Sequence, residues 1–166
     1  MAHELVPLKL GDPPTKEELE KMAALAAGKM PTGPNLWAAR ILAEMKAGKQ
    51  FARSYPYPVQ AWQLGGKQLW ITLGGEVVVD YSLRFKAEFG PKTWVAGYAN
   101  DVMAYIPSAR VLFEDKPPRG SPRWGYEGNT SMYVYGQPAH RWADDVEHAI
   151  AGSVQRLVRE VRGDPK

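Results

Sequence analysis

The 166-residue sequence contains no cysteine and only three histidines, which excludes disulfides and thiolate metal sites. No apolar run approaches the roughly 18 residues of a membrane-spanning helix, and the N-terminus shows no signal-peptide core. These absences leave the compartment open. His3, His140 and His148 are scattered, with no His-x-x-x-His pair to grip a metal from one helix face. There is no Gly-x-Ser-x-Gly elbow for a serine nucleophile. Neither Gly65-Gly66 nor Gly74-Gly75 leads into a phosphate-loop signature. The net charge of +3 is not gathered into a basic stripe, so no nucleic-acid partner is expected. Residues 116–123, rich in Pro and Arg and followed by Trp124, read as a solvated loop rather than a nucleic-acid contact.

What is present is a globular composition, 45% hydrophobic and 23% charged, with six Trp, eight Tyr, 16 Gly and 14 Pro. That mixture points to one loop-rich α/β domain with aromatic surfaces. Residues 1–14 read as an extended arm, because Pro13-Pro14 forbids helix there. Thr15 and Glu18 form a capping-box signature before a helix over 16–27, stopped by Gly28. A second helix is predicted from Asn35 to Gly48, antiparallel to the first. From Tyr55-Pro56-Tyr57-Pro58 the pattern changes to period two. Residues 59–64 and 68–73, joined by Gly65-Gly66-Lys67, predict a β-hairpin. A helix over 76–89 and a short strand over 94–98 follow, giving a parallel crossover. Residues 126–136 read as part loop and part strand. A long amphipathic helix over 143–161 closes the chain, with acids in its first turn and arginines in its last. The expected fold class is α/β, shading to α+β: a small mixed sheet covered by helices. Residues 1–54 form the arm and helical pair, and 55–166 the α/β part.

Three polar clusters stand near predicted strand ends, where open α/β sheets carry their sites. In the first, the pair Gly74-Gly75 lets backbone pass close to a ligand beside Glu76, for which the simpler account is an acid complementing a helix dipole. The second is Asn100-Asp101 with Tyr105; turn and cap roles explain the first two and core packing the third. The third is Tyr126-Glu127-Gly128-Asn129-Thr130-Ser131, for which a polar turn is the simpler account.

Taken in order, three blocks carry a resemblance. They are Gly74-Gly75-Glu76-Val77-Val78-Val79-Asp80-Tyr81, then Val95 through Ser108 (VAGYANDVMAYIPS), then Tyr126-Glu127-Gly128-Asn129-Thr130-Ser131-Met132. The chain, over roughly residues 55–160, resembles the C-terminal part of the catalytic domain in neutral/alkaline non-lysosomal ceramidases, among them bacterial ceramidase-like proteins. The resemblance implies a zinc-dependent hydrolysis of an N-acyl amide bond in a lipid-like substrate. It places two zinc ligands on Glu76 and Tyr105, with Gly75, Asn100, Asp101, Tyr126 and Glu127 around them. The family's zinc histidines and its serine nucleophile lie in an upstream half with no counterpart here. The segment is therefore expected to supply part of a metal site without hydrolysing substrate alone, and no catalytic residue is assigned. Its expected partner is either the upstream half or a second copy, joined through exposed tryptophans or tyrosines. The alternative is a catalytically silent binding or interaction module on the same scaffold.

Overall fold

Period-two alternation of apolar residues builds the first layer of the molecule. The computed structural model describes residues 1–24, 29–115, 125–139 and 141–163. Strands β1 (Ala2–Lys9), β2 (Ser54–Leu64), β3 (Gln68–Leu73) and β5 (Trp94–Ala96) form one sheet in the order β1-β2-β3-β5. The β1–β2 and β2–β3 pairs are antiparallel and β3–β5 is parallel, so the sheet is mixed. Between β4 (Glu76–Val77) and β5 runs helix α3 (Val79–Phe89), which completes the crossover from β3 to β5. The fold is α/β, as the alternation of elements implies.

The inner face of the sheet presents Val6, Leu8, Tyr57, Val59, Ala61, Ile71 and Leu73, all buried. Onto it packs the long helix α6 (Val146–Arg162), which buries Ile150, Val154, Leu157 and Val158 on one side. Helices α1 (Lys16–Ala23) and α2 (Gly33–Lys46) form a separate small cluster around Leu19, Trp37 and Ile41, with the Tyr133 ring tilted against Trp37. The Thr15–Glu18 capping box forms as its spacing implies.

Several elements depart from the sequence reading. Residues 2–9 are not an arm but the edge strand of the main sheet, in register Ala2↔Ala61 through Lys9↔Ser54. Pro7 is tolerated because β1 has a neighbour on one side only, and it sits opposite Pro56. The helix expected from residue 76 begins at Val79. Glu76 and Val77 instead form β4, a two-residue strand parallel to β6 (Tyr105–Ile106). After the short helix α4 (Ala109–Glu114), residues 126–134 are helical throughout, first a π-helical turn (Tyr126–Thr130) and then α5 (Ser131–Val134), not strand. The second helix starts at Gly33 and the last at Val146, and strand β5 ends at Ala96. The predicted C-terminal turn of α1, the 116–123 loop and His140 lie outside the described residues.

Candidate functional site

The site forms where β3 leaves the sheet. Gly75 adopts φ +67°, a backbone region open to glycine at little cost. Its N–H donates to the Asp101 carbonyl (2.8 Å), and its carbonyl accepts from the Tyr98 N–H (2.8 Å). A Cβ on Gly75 would stand 2.7 Å from the Ala104 carbonyl oxygen and 2.8 Å from Ile106 Cγ1. Only glycine lets the two segments touch here. The next residue, Glu76, donates its N–H to the Ala104 carbonyl (2.9 Å) and lies in register with Tyr105.

Parallel neighbours on one face project the same way, so the side chains of Glu76 and Tyr105 meet. The Glu76 carboxylate acts on the hydroxyls of both Tyr105 and Tyr98 and favours their protonated, hydrogen-bonding form. Tyr126 closes edge-to-face on Tyr105, ring centroids 5.4 Å apart. Tyr135 lies close enough for the Glu76 charge to act on it. Tyr98 and Asn100 hold left-handed backbone, φ 54° and 69°, which is uncommon for residues with a side chain and turns the loop back under Glu76. The result is a partly exposed cluster of one carboxylate and four phenols. None of the ion pairs among the described residues involves Glu76.

The remaining sequence candidates divide. Asp101 braces the cluster from behind: its carboxylate accepts from the Tyr55 hydroxyl (2.5 Å). Asn100 is exposed and serves the turn. Glu127 is exposed on the π-helical turn and contributes nothing to the hydrogen bonds around Glu76. On that turn and just after it, Asn129 and Ser131 are fully buried, and their side-chain polar atoms have no hydrogen-bond partner among the described residues. His148 is exposed on α6 beside β1, near Glu4, Lys9 and Arg156, and His3 projects from β1 opposite Gln60. Sequence reasoning missed Tyr98, Tyr135 and Tyr55. A tyrosine in an aromatic-rich chain signals nothing until folding shows which hydroxyls converge on one carboxylate.

Two phenols in a carboxylate's hydrogen bonds hold their protons tightly. Donation to Glu76, followed by burial and the nearby negative charge, pushes Tyr98 up to about 12 and Tyr105 further. Burial and then the bond to Asp101 push Tyr55 to about 12. The folded values exceed the ordinary 10, so these contacts act in full below pH 10 and are lost as pH rises through the folded values. Spectrophotometric titration is expected to show a tyrosine fraction ionising about two units late. Glu76→Gln should return part of that fraction toward 10 while leaving Tyr55 late. A single normal titration for every tyrosine would contradict the hydrogen bonds described.

The sequence matches no protein-family model, and neither the curated proteins nor the solved structures compared with it gave a match.

Proposed function

We propose that this chain is the C-terminal part of a ceramidase-like amidohydrolase and supplies Glu76 and Tyr105 as two oxygen donors of a zinc site. One observation carries the reading: the two residues that the resemblance marks as ligands, 29 positions apart in the chain, are register partners on adjacent parallel strands, near enough for the Glu76 carboxylate to raise the Tyr105 phenol. Their chemistry fits. A carboxylate oxygen is an ordinary zinc ligand, and a phenol becomes one by releasing the proton it now gives to Glu76. Tyr98 is placed to take over the hydrogen bond to the carboxylate oxygen that the metal does not use. Bound there, zinc would polarise an amide carbonyl or activate a water for attack on it.

The donor set also stops at two. Among the described residues no group of three or more His, Asp or Glu comes together to hold a metal. A catalytic zinc uses about three protein ligands with one position open. In this reading the other ligands and the nucleophile come from outside the described residues, in the upstream half that the resemblance implies. A lipid-like amide is the proposed substrate of the completed site, which the isolated chain should not turn over.

The test is proton release on metal binding. Titrating the pure chain with zinc near pH 8 is expected to raise a tyrosinate ultraviolet difference band at weak, roughly millimolar to micromolar, affinity. Tyr105→Phe and Glu76→Gln should abolish it, and amidase turnover should stay at background in all three proteins. A band that persists in Tyr105→Phe, or its absence at saturating zinc, would remove the ligand assignment. The silent binding module would then be the remaining reading.

A further inference from the structure

The outer face of the main sheet is the largest surface that the site above does not use. Its outward positions fall into rows across the strands. Trp62, Trp70 and Trp94 are consecutive register partners on β2, β3 and β5, and so form one row. The neighbouring row, two residues along each strand, is Gln60, Thr72 and Ala96. Two contacts confirm that both rows share the face. Trp70 and Trp94 meet edge-to-face with centroids 6.4 Å apart, and Thr72 donates to Gln60 Oε1 at 3.0 Å. α6 lies on the opposite face. Among the described residues this side stays open, with Trp94 59%, Trp70 37% and Leu5 64% exposed.

We propose that this face packs against the same face of a second copy of the chain, giving a two-fold dimer with two sheets inside and helices outside. Shape selects a second copy as the occupant. The tryptophan row is a ridge. The Thr72–Ala96 row is a trough of small side chains, Thr72 lying 7% exposed below its neighbours. A two-fold axis running across the strands between the two rows sets each ridge over the partner's trough. Trp70 and Trp94 then meet the small residues two positions along their own strands in the other copy, Thr72 and Ala96, and Trp62 meets Gln60. A surface that complements itself under rotation is what an isologous interface requires.

Size and charge agree with that occupant. Four strands about 4.8 Å apart and some six residues long offer a face of roughly 19 by 20 Å. Two such faces bury roughly 760 Å² in total before the relief of the tryptophan ridge is counted, an area that suits a weak, concentration-dependent dimer. The outward positions on β2, β3 and β5 carry no charge, and on β1 the outward Lys9, at the far end of the strand from the tryptophan row, is paired with Asp145. Ridge and trough also fit the spacing of about 10 Å at which aligned sheets stack.

Sedimentation equilibrium of the full chain, without added metal, tests the proposal independently of the zinc assignment. At about 100 µM the mass is expected to approach twice 18.5 kDa, with tryptophan emission shifting to the red on dilution. Trp70→Lys should weaken association at least tenfold. Trp94→Lys, at a tryptophan more exposed than Trp70, gives a second disruption with little risk to folding. Leu83→Lys, exposed on α3 in the helical layer, should leave association unchanged. A monomer at every concentration would overturn the proposal. So would a dimer that survives both tryptophan variants, or a monomer whose tryptophan emission responds only to an added polysaccharide or nucleic acid.

Discussion

Gly75→Ala is expected to destabilise the protein by roughly 3 kcal/mol or more and to disconnect Glu76 from Tyr105. Two costs combine. An alanine held at φ +67° loses about 1–2 kcal/mol relative to glycine. Its Cβ would also sit 2.7 Å from the Ala104 carbonyl and 3.0 Å from Met103 Sδ. The carbonyl belongs to the backbone that accepts from the Glu76 N–H, so it cannot yield without opening the β4–β6 pair. Overpacking of this kind typically costs a further 1–3 kcal/mol. For a domain of this size the melting temperature should fall by about 10 °C. The late-ionising tyrosine fraction and the zinc-induced tyrosinate band should shrink together. Unchanged melting with both signals intact would mean that the 75–77 and 104–106 segments do not meet as described. Gly66→Ala, also at positive φ but in the open hairpin turn, separates the terms because nothing stands within 4 Å of its added Cβ. It should show the backbone penalty alone.

Trp142→Ala should be the most damaging single truncation, at about 3–5 kcal/mol. Trp142 is 1% exposed at the junction of three segments. It bridges Leu10 at the end of β1, meets the Tyr55 ring edge-on at 6.3 Å, and donates its indole N–H to the Tyr105 carbonyl at 2.8 Å. Removing the side chain opens a cavity and also leaves a carbonyl of β6 without its donor. The loss should be read as a lower urea midpoint with little change in slope. Trp142→Phe keeps part of the volume but not the N–H, so it should fall between the two. Tyr105 sits on that same strand, and the truncated protein should therefore lose the tyrosinate signal before it loses helical content. A urea midpoint near wild type would show that the β1–β6–α6 junction is not held by this residue.

Much of the architecture could be read locally. Gly65-Gly66-Lys67 between two alternating runs set the hairpin and its register, because turn length and side-chain alternation both depend only on neighbours. The Thr15–Glu18 box set the start of α1 for the same reason. The stripe of Ile150, Val154, Leu157 and Val158 made α6 legible, since its period is that of the helix itself.

The misreadings share one cause, which is pairing across long chain separations. Val6, Leu8 and Leu10 alternate in buriable fashion, yet Pro13-Pro14 made an arm the simpler reading. It was β2, nearly fifty residues away, that turned the segment into a strand. Glu76 through Val78 carry helix-compatible spacing with the residues after them. The β6 backbone captured Glu76 and Val77 first, and the helix could begin only at Val79.

The chain by itself determined the elements and the identity of the acid at the centre of the site, because glycine pairs, caps and periods act between residues close in sequence. Only the tertiary structure decided that Tyr98, Tyr105 and Tyr126 surround that acid, that Asp101 braces the loop through Tyr55, and that three tryptophans on three strands form one row. Each of these is a contact between segments whose separation in the chain carries no period or spacing rule. Closing such contacts costs loop entropy that only the packed core offsets.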